Sequence, residues 1–375
     1  MQTSEKDFFT RERNAINHFS KNEFNKLMVL LVREYSSLTN QEISYIKETY
    51  TQTDRNHLES LVKNMQILPF AAHIFSEIGC DKEYWKEKHN KYIKRNTEIK
   101  EIVDKVFQNL NKYGCDSVTL TENFAVVLTT NGCIGDFCSG DVDLSADIKE
   151  QEKITSCLNS MNFFSKDQPN SIGEYVGQSM QFFNESIFEE GFWINVIWKP
   201  VTRAFLVQEK YEKRLSKDRL DALTIPNTSI RVLQDDSLMY FCSLHIAAGH
   251  YYTLPPGLRL FIDIDRLARA KKIDWNRVIQ WEEEDNAGIR ISTILYLSAL
   301  ILKTPIPKDI YKKCLKNRRN RMLLKYLYNS ETKMIQNKSN KLRRLYIELA
   351  SDDANLFFNF VKRFFVLILS KLKLN

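Results

Sequence analysis

The chain has 375 residues and a formal net charge of +7. Hydrophobic residues make up 43% and charged residues 27%, with 11 glycines and 8 prolines, which excludes a disordered chain and an all-β sandwich. At roughly 100 to 200 residues per domain, this length predicts two or three packed units, mostly helical.

The seven cysteines are odd in number and show no CxxC spacing, so neither a disulfide framework nor a zinc knuckle is expected. The N-terminal segment lacks the basic-then-apolar layout of a secretory signal. No run of about 18 apolar residues is present to span a bilayer, and a reducing, cytoplasmic setting is expected.

The first hundred residues carry helical periodicity, as in Phe24, Leu27, Met28, Leu30 and Leu31, then Leu58, Leu61, Val62 and Met65. An amphipathic helix is predicted from Asn96 to Tyr113, with Ile99, Ile102, Val103, Val106, Phe107 and Leu110 on one stripe and Gly114 closing it. The period then changes. Strands are predicted at Ser117–Leu120, Ala125–Thr129 and Asp141–Ser145, a helix near Ile148–Met161, and a strand pair at Gln181–Phe188 and Phe192–Trp198. Helical stripes return at Leu238, Phe241, Cys242, His245 and Ile246, and again at Leu258, Phe261, Ile262 and Leu267.

The expected class is α+β, predominantly helical, with a small mixed sheet flanked by helical regions. The expected division is a helical region at 1–95, an α/β core at 96–210 and a helical domain with a basic tail at 211–375. Residues 305–375 hold 17 Lys and Arg against 5 Asp and Glu, which suits solvated helix faces, an acidic partner, nucleic acid or an anionic membrane surface. The apolar run Leu356–Leu369, followed by Lys371 and Lys373, reads as a buried terminal helix or an interfacial one.

The segment that carries chemistry is Ser139-Gly140-Asp141-Val142-Asp143-Leu144. On a strand alternate side chains share a face, so Asp141 and Asp143 project together, about 7 Å apart along the backbone. Two carboxylates at that spacing suit Mg²⁺, which takes one or two carboxylates together with substrate phosphate oxygens.

The chain resembles the bacterial uncharacterised nucleotidyltransferases related to the kanamycin-nucleotidyltransferase and polymerase-β superfamily. The resemblance rests on Leu68-Pro69 with Ala71-Ala72, Arg95-Asn96, Lys112-Tyr113-Gly114-Cys115, Gly140-Asp141-Val142-Asp143-Leu144, Asn195-Val196-Ile197-Trp198, Leu244-His245 through His250, Leu260-Phe261-Ile262-Asp263-Ile264 and Asp274-Trp275. It implies a central nucleotidyltransferase fold with helices closing over the nucleotide. It also implies Mg²⁺, or Mn²⁺ in its place, on Asp141 and Asp143, and an NTP as substrate. Relatives carry Leu-Lys-Gly where this chain has Leu120-Thr121-Glu122. They carry a third acid where it has Asn195, and an Arg upstream of the aspartates where it has Ser139 and Gly140. The third-acid exchange removes one negative charge from the metal site and a general base, while Asn195 can still offer a carbonyl ligand.

Asp141, Asp143 and Asn195 are the expected catalytic residues. Ser139, Gly140, Lys199, Arg203, His245 and Asp263 are the expected nucleotide contacts, with Lys199 and Arg203 reaching the triphosphate. Glu185, Glu189 and Glu190 are alternatives for the missing acid, although their turn location favours exposure to solvent. His245 and His250 are separated by roughly 500° on an α-helix, so they are not expected to share a face or to hold zinc.

The leading reading is metal-dependent transfer of a nucleotidyl or phosphoryl group from an NTP to a hydroxyl on a sugar, a peptide or RNA. Two alternatives stay open. One is a degenerate fold acting as a nucleotide- or protein-binding partner. The other is a toxin-like enzyme acting on tRNA through its basic C-terminal region.

Overall fold

A computed structural model describes residues 23–130, 132–137, 140–165, 179–198, 205–250, 252, 257–329, 347 and 350. Ser139, Lys199, Arg203 and the apolar run Leu356–Leu369 lie outside the described residues. Fourteen α-helices and one seven-stranded sheet are found among those described.

The lead-in is helical: α1 (Glu23–Leu31), α2 (Asn40–Gln52), α3 (Arg55–Asn64), α4 (Leu68–Ile78) and α5 (Lys82–Lys112). Each boundary has a local cause. Thr39 and Glu42 form a reciprocal capping box on α2, and Asp54 accepts from the His57 amide to open α3. Pro69 sits in the first turn of α4, and Gly79 ends that helix at φ +84°. The helix expected from Asn96 therefore begins fourteen residues earlier, at Lys82, where its first turns pack on α4 through the buried Trp85.

The sheet is mixed, in the order β3-β4-β5-β2-β1-β7-β6. Its strands are β1 (Thr119–Leu120), β2 (Asp141–Ser145), β3 (Phe164–Ser165), β4 (Ser179–Asn184), β5 (Phe192–Ile197), β6 (Leu223–Thr224) and β7 (Arg231–Val232). At its centre β2 runs antiparallel to β1 and parallel to β5, with Asp143 opposite Asn195. Val142 and Leu144 are buried while Asp141 and Asp143 occupy the other face, half-buried, as the alternation predicts.

The strand expected at Ala125–Thr129 is instead a helix, α6 (Glu122–Thr129), which leaves β1 directly. Its residues 122 to 127 are all buried, and an apolar run covered on every side carries no period by which helix and strand can be told apart. A 3₁₀ turn at Ile134–Asp136 follows and rests on α5, after which the chain enters β2.

Helix α7 (Gln151–Ser160) lies between β2 and β3, and α8 (Phe205–Leu220) follows β5. Arg219 at the end of α8 donates to the buried Ser145 Oγ through Nε at 3.1 Å and Nη2 at 2.6 Å, anchoring the far end of β2. The remaining helices are α9 (Asp235–Leu244), α10 (Gly257–Ala270), α11 (Trp275–Glu284), α12 (Gly288–Leu302), α13 (Lys308–Lys316) and α14 (Arg318–Asn329). Helices α9 and α10 pack on α6 and so close one side of the Asp141–Asp143 face.

Candidate functional site

Asp143 is flanked from both neighbouring strands. From β5, Asn195 Nδ2 donates to Asp143 Oδ1 at 2.8 Å, while the Asn195 Oδ1 carbonyl is buried and accepts no hydrogen bond. From the end of β1, the Glu122 carboxyl reaches hydrogen-bonding range of Asp143. Thr121 fixes this geometry, since its amide and hydroxyl both donate to the Asp143 carbonyl, at 3.0 and 3.1 Å.

Glu122 holds φ at +59°, in the left-handed region where glycine is at ease and a side chain costs on the order of 1 kcal/mol. The resemblance above implies glycine here; in this chain the position carries a carboxylate that faces the pocket. Glu122 is only 5% exposed, and the side chains facing it are Asp141, Asp143, Asp263, Arg259 and His245.

Four carboxyl groups thus share one pocket. Burial pushes the Glu122 carboxyl up to about 8, with Arg259 opposing and Asp141 and Asp263 reinforcing the shift. Burial, then the charges of Glu122 and Asp141, hold Asp143 well above the usual carboxylate range. Asp263, on α10, is pushed up to about 7 by burial against the pull of Arg259 and Arg266. Carboxylates crowded together in a dry site resist joint ionisation unless a cation lies among them. Their oxygens and the orphaned Asn195 carbonyl form an all-oxygen donor set of the kind hard divalent cations take, so the residues present fit such an ion.

His245 lies on the same wall, with Nδ1 3.1 Å from Glu122 Oε1. Its Nε2 is 2.7 Å from His250 Nε2, which overturns the expectation that these histidines face apart. The cause is a π-helical turn over His245–Gly249, where the His250 amide bonds the carbonyl five residues back and brings residue i+5 over residue i. Burial lowers His245 to about 4, and with Arg259 adding to that shift the ring is neutral near pH 7.

Gly140 borders a second feature, a cavity of about 520 Å³ lined by Lys63, Lys88, Lys91, Arg95, Tyr92 and Glu190, among others. Arg95 approaches Glu190 at 3.3 Å and stacks over Phe188, and Lys88 is held by Glu59 at 2.6 Å. Sequence reasoning placed the cationic contacts at Lys199 and Arg203 and missed this basic wall, which comes from α3 and α5, far from the aspartates in sequence. Of the alternative acids, Glu190 lies at that cavity, paired with Arg95.

Comparison with curated proteins and with solved structures finds no match. A family model described as "Uncharacterised nucleotidyltransferase" matches residues 51–303, two thirds of the chain. That span holds the Asp141–Asp143 strand, the helices that close over it and the basic cavity. The chain belongs to the uncharacterised nucleotidyltransferase family.

Proposed function

We propose that the protein transfers a nucleotidyl group from an NTP to a hydroxyl-bearing acceptor in the cleft over β2. The observation that carries this reading is the collection of Glu122, Asp141, Asp143 and Asp263 in one pocket, beside Asn195, which donates to Asp143 and whose Oδ1 is buried without a hydrogen-bond partner. Asp141, Asp143 and Asn195 Oδ1 would hold Mg²⁺, or Mn²⁺ in its place. When bound, that ion neutralises triphosphate charge and stabilises the entering and leaving oxygens of an in-line displacement.

Glu122 stands in for the acid that Asn195 lacks, moved from one neighbour of β2 to the other. In its ionised form it takes the proton of the acceptor hydroxyl, a role worth about 10² to 10⁴ in rate; with the carboxyl held up to about 8 by burial, that form grows as pH rises toward 8. The neutral His245 ring lies beside it, with Nδ1 3.1 Å from Glu122 Oε1. Asn195 keeps a positioning role by fixing the Asp143 carboxyl through its amide. Lys63, Lys91 and Arg95 face the cavity beside Gly140 and supply the positive field an anionic substrate needs.

The test is Mg²⁺-dependent release of pyrophosphate from each of the four NTPs across a panel of sugar, peptide and RNA acceptors. Release abolished in Asp141→Asn and in Glu122→Gln, with both variants folded, supports the reading. NTP binding without release in any panel favours the nucleotide-binding partner instead.

A further inference from the structure

Beside the 3₁₀ turn, four side chains with metal-ligating chemistry, none of them among the carboxyl groups over β2, converge from three separate segments. His73 comes from α4, His89 from α5, Cys133 from the residue before the 3₁₀ turn that leads toward β2 and Asp136 from its last residue. One donor atom from each lies within 4.8 Å of every other. We propose that His73, His89, Cys133 and Asp136 bind a single zinc ion, which fastens the helical lead-in to the loop entering the Asp141 strand.

The spacing supports ligation over hydrogen bonding. Asp136 Oδ1 is 3.4 Å from His73 Nδ1 and 3.3 Å from His89 Nε2, and Cys133 Sγ is 3.8 Å from His89 Nε2. As hydrogen bonds to a carboxylate these nitrogen–oxygen distances are long, since such bonds cluster at about 2.7 to 2.9 Å. As three of the six edges of a tetrahedron they fit, and the other three lie within 4.8 Å. Zinc bonds of about 2.0 Å to nitrogen and oxygen and about 2.3 Å to sulfur put neighbouring ligands about 3.3 Å apart, or about 3.6 Å where one is sulfur. One carboxylate oxygen faces both imidazole nitrogens, and the two rings lie stacked at 4.6 Å.

Ligand chemistry narrows the ion. Imidazole and thiolate together suit zinc and disfavour the hard cations that the all-oxygen pocket takes. A thiolate and a carboxylate also balance the charge of a divalent ion. With four protein ligands the centre is closed, which makes it structural and not a site for activating water.

The surroundings hold this geometry from outside. Arg266 on α10 donates through Nη2 to Asp136 Oδ2 at 2.5 Å, leaving Oδ1 directed at the histidines. Buried Asn96 donates to the Ile134 and Phe137 carbonyls, at 2.7 and 2.8 Å, and so ties both ends of the turn to α5. At Gly135, between the two loop ligands, a Cβ would meet His89 Nε2 and Ile93 Cγ1 at 2.6 Å, so only glycine lets the backbone come this close. Such support around the ligands is a regular part of built metal sites. His73 and Cys133 are half-buried and give the ion a way in.

The test uses the full chain, purified without a histidine tag, and counts zinc by mass spectrometry after dialysis. The expected result is about one zinc per chain, retained by an Asp141→Asn/Asp143→Asn variant and lost in Cys133→Ser and in His89→Ala. Cobalt exchanged into the parent should show tetrahedral d–d bands together with a thiolate charge-transfer band, a readout that needs no variant. A strong chelator should lower the Tm of the parent and leave that of Cys133→Ser unchanged. The proposal is overturned if the parent takes up no zinc and its Tm ignores both zinc and chelator. It is equally overturned if the zinc survives in folded Cys133→Ser and His89→Ala but leaves with Asp141 and Asp143.

Discussion

Asn195 sits in register with Asp143 across the β5–β2 pair and donates to its Oδ1 at 2.8 Å, leaving its own carbonyl oxygen buried without a partner. An aspartate there would keep the shape, lose the amide donor and add another negative charge to a pocket already holding four carboxyl groups. Asn195→Asp should therefore lower the Tm of the metal-free protein and enlarge the rise in Tm that Mg²⁺ produces. Thermal melts with and without Mg²⁺ read both; an unchanged Mg²⁺ response would show that Asn195 does not face the ion.

Glu122 pairs a strained backbone with a buried carboxyl. Glu122→Gly relieves both, so it should raise stability by about 1 kcal/mol while removing most turnover. Glu122→Gln keeps the side-chain volume and should cost about 10² to 10⁴ in rate with little change in NTP affinity. Steady-state kinetics beside urea unfolding separate these effects, and a Glu122→Gly variant with full activity would remove Glu122 from the chemistry.

The basic cavity beside Gly140 makes a separate prediction. Replacing both Lys91 and Arg95 by Gln should weaken binding of an anionic substrate about tenfold, about 1.4 kcal/mol, without altering the fold. The loss should shrink at high salt, because exposed charges are screened. Calorimetry at two ionic strengths checks this; equal affinity in parent and variant would assign the cavity another role.

Glu282 on α11 is almost fully buried, with Lys313 Nζ on α13 at 2.7 Å. Burial nonetheless pushes its carboxyl up to about 7, from an ordinary 4.5, against the pull of Lys313. Between those values the folded chain binds more protons than the unfolded one, so stability falls as pH rises through the window. Glu282→Gln should remove part of that slope, on the order of 2 kcal/mol between pH 5 and 8. Urea midpoints across this range give the comparison, with parallel curves for parent and variant as the contrary result.

What the sequence revealed was local. Asp141-Val142-Asp143 was legible because strand alternation places both carboxylates on one face whatever surrounds them. The stripe from Ile99 to Leu110 was legible because a helix carries its own period. The resemblance sets Thr121 against a lysine and Glu122 against a glycine, and does not show the Glu122 carboxyl entering the pocket, because its direction depends on the left-handed backbone of Glu122 between β1 and α6. His245 and His250 were set apart by α-helical geometry, and only the π-turn brings them together. The cluster of His73, His89, Cys133 and Asp136 was invisible for a different reason: tertiary packing of α4, α5 and a loop creates its spacing, and no short motif records it.

Calorimetry with a non-hydrolysable NTP analogue, on the parent and on a folded Asp141→Asn/Asp143→Asn variant, tests directly whether Asp141 and Asp143 hold a metal on which nucleotide binding depends. The expected result is binding by the parent that requires Mg²⁺ and weakens at least tenfold in the double variant. Equal binding by both proteins without metal, or none by either, would contradict the account.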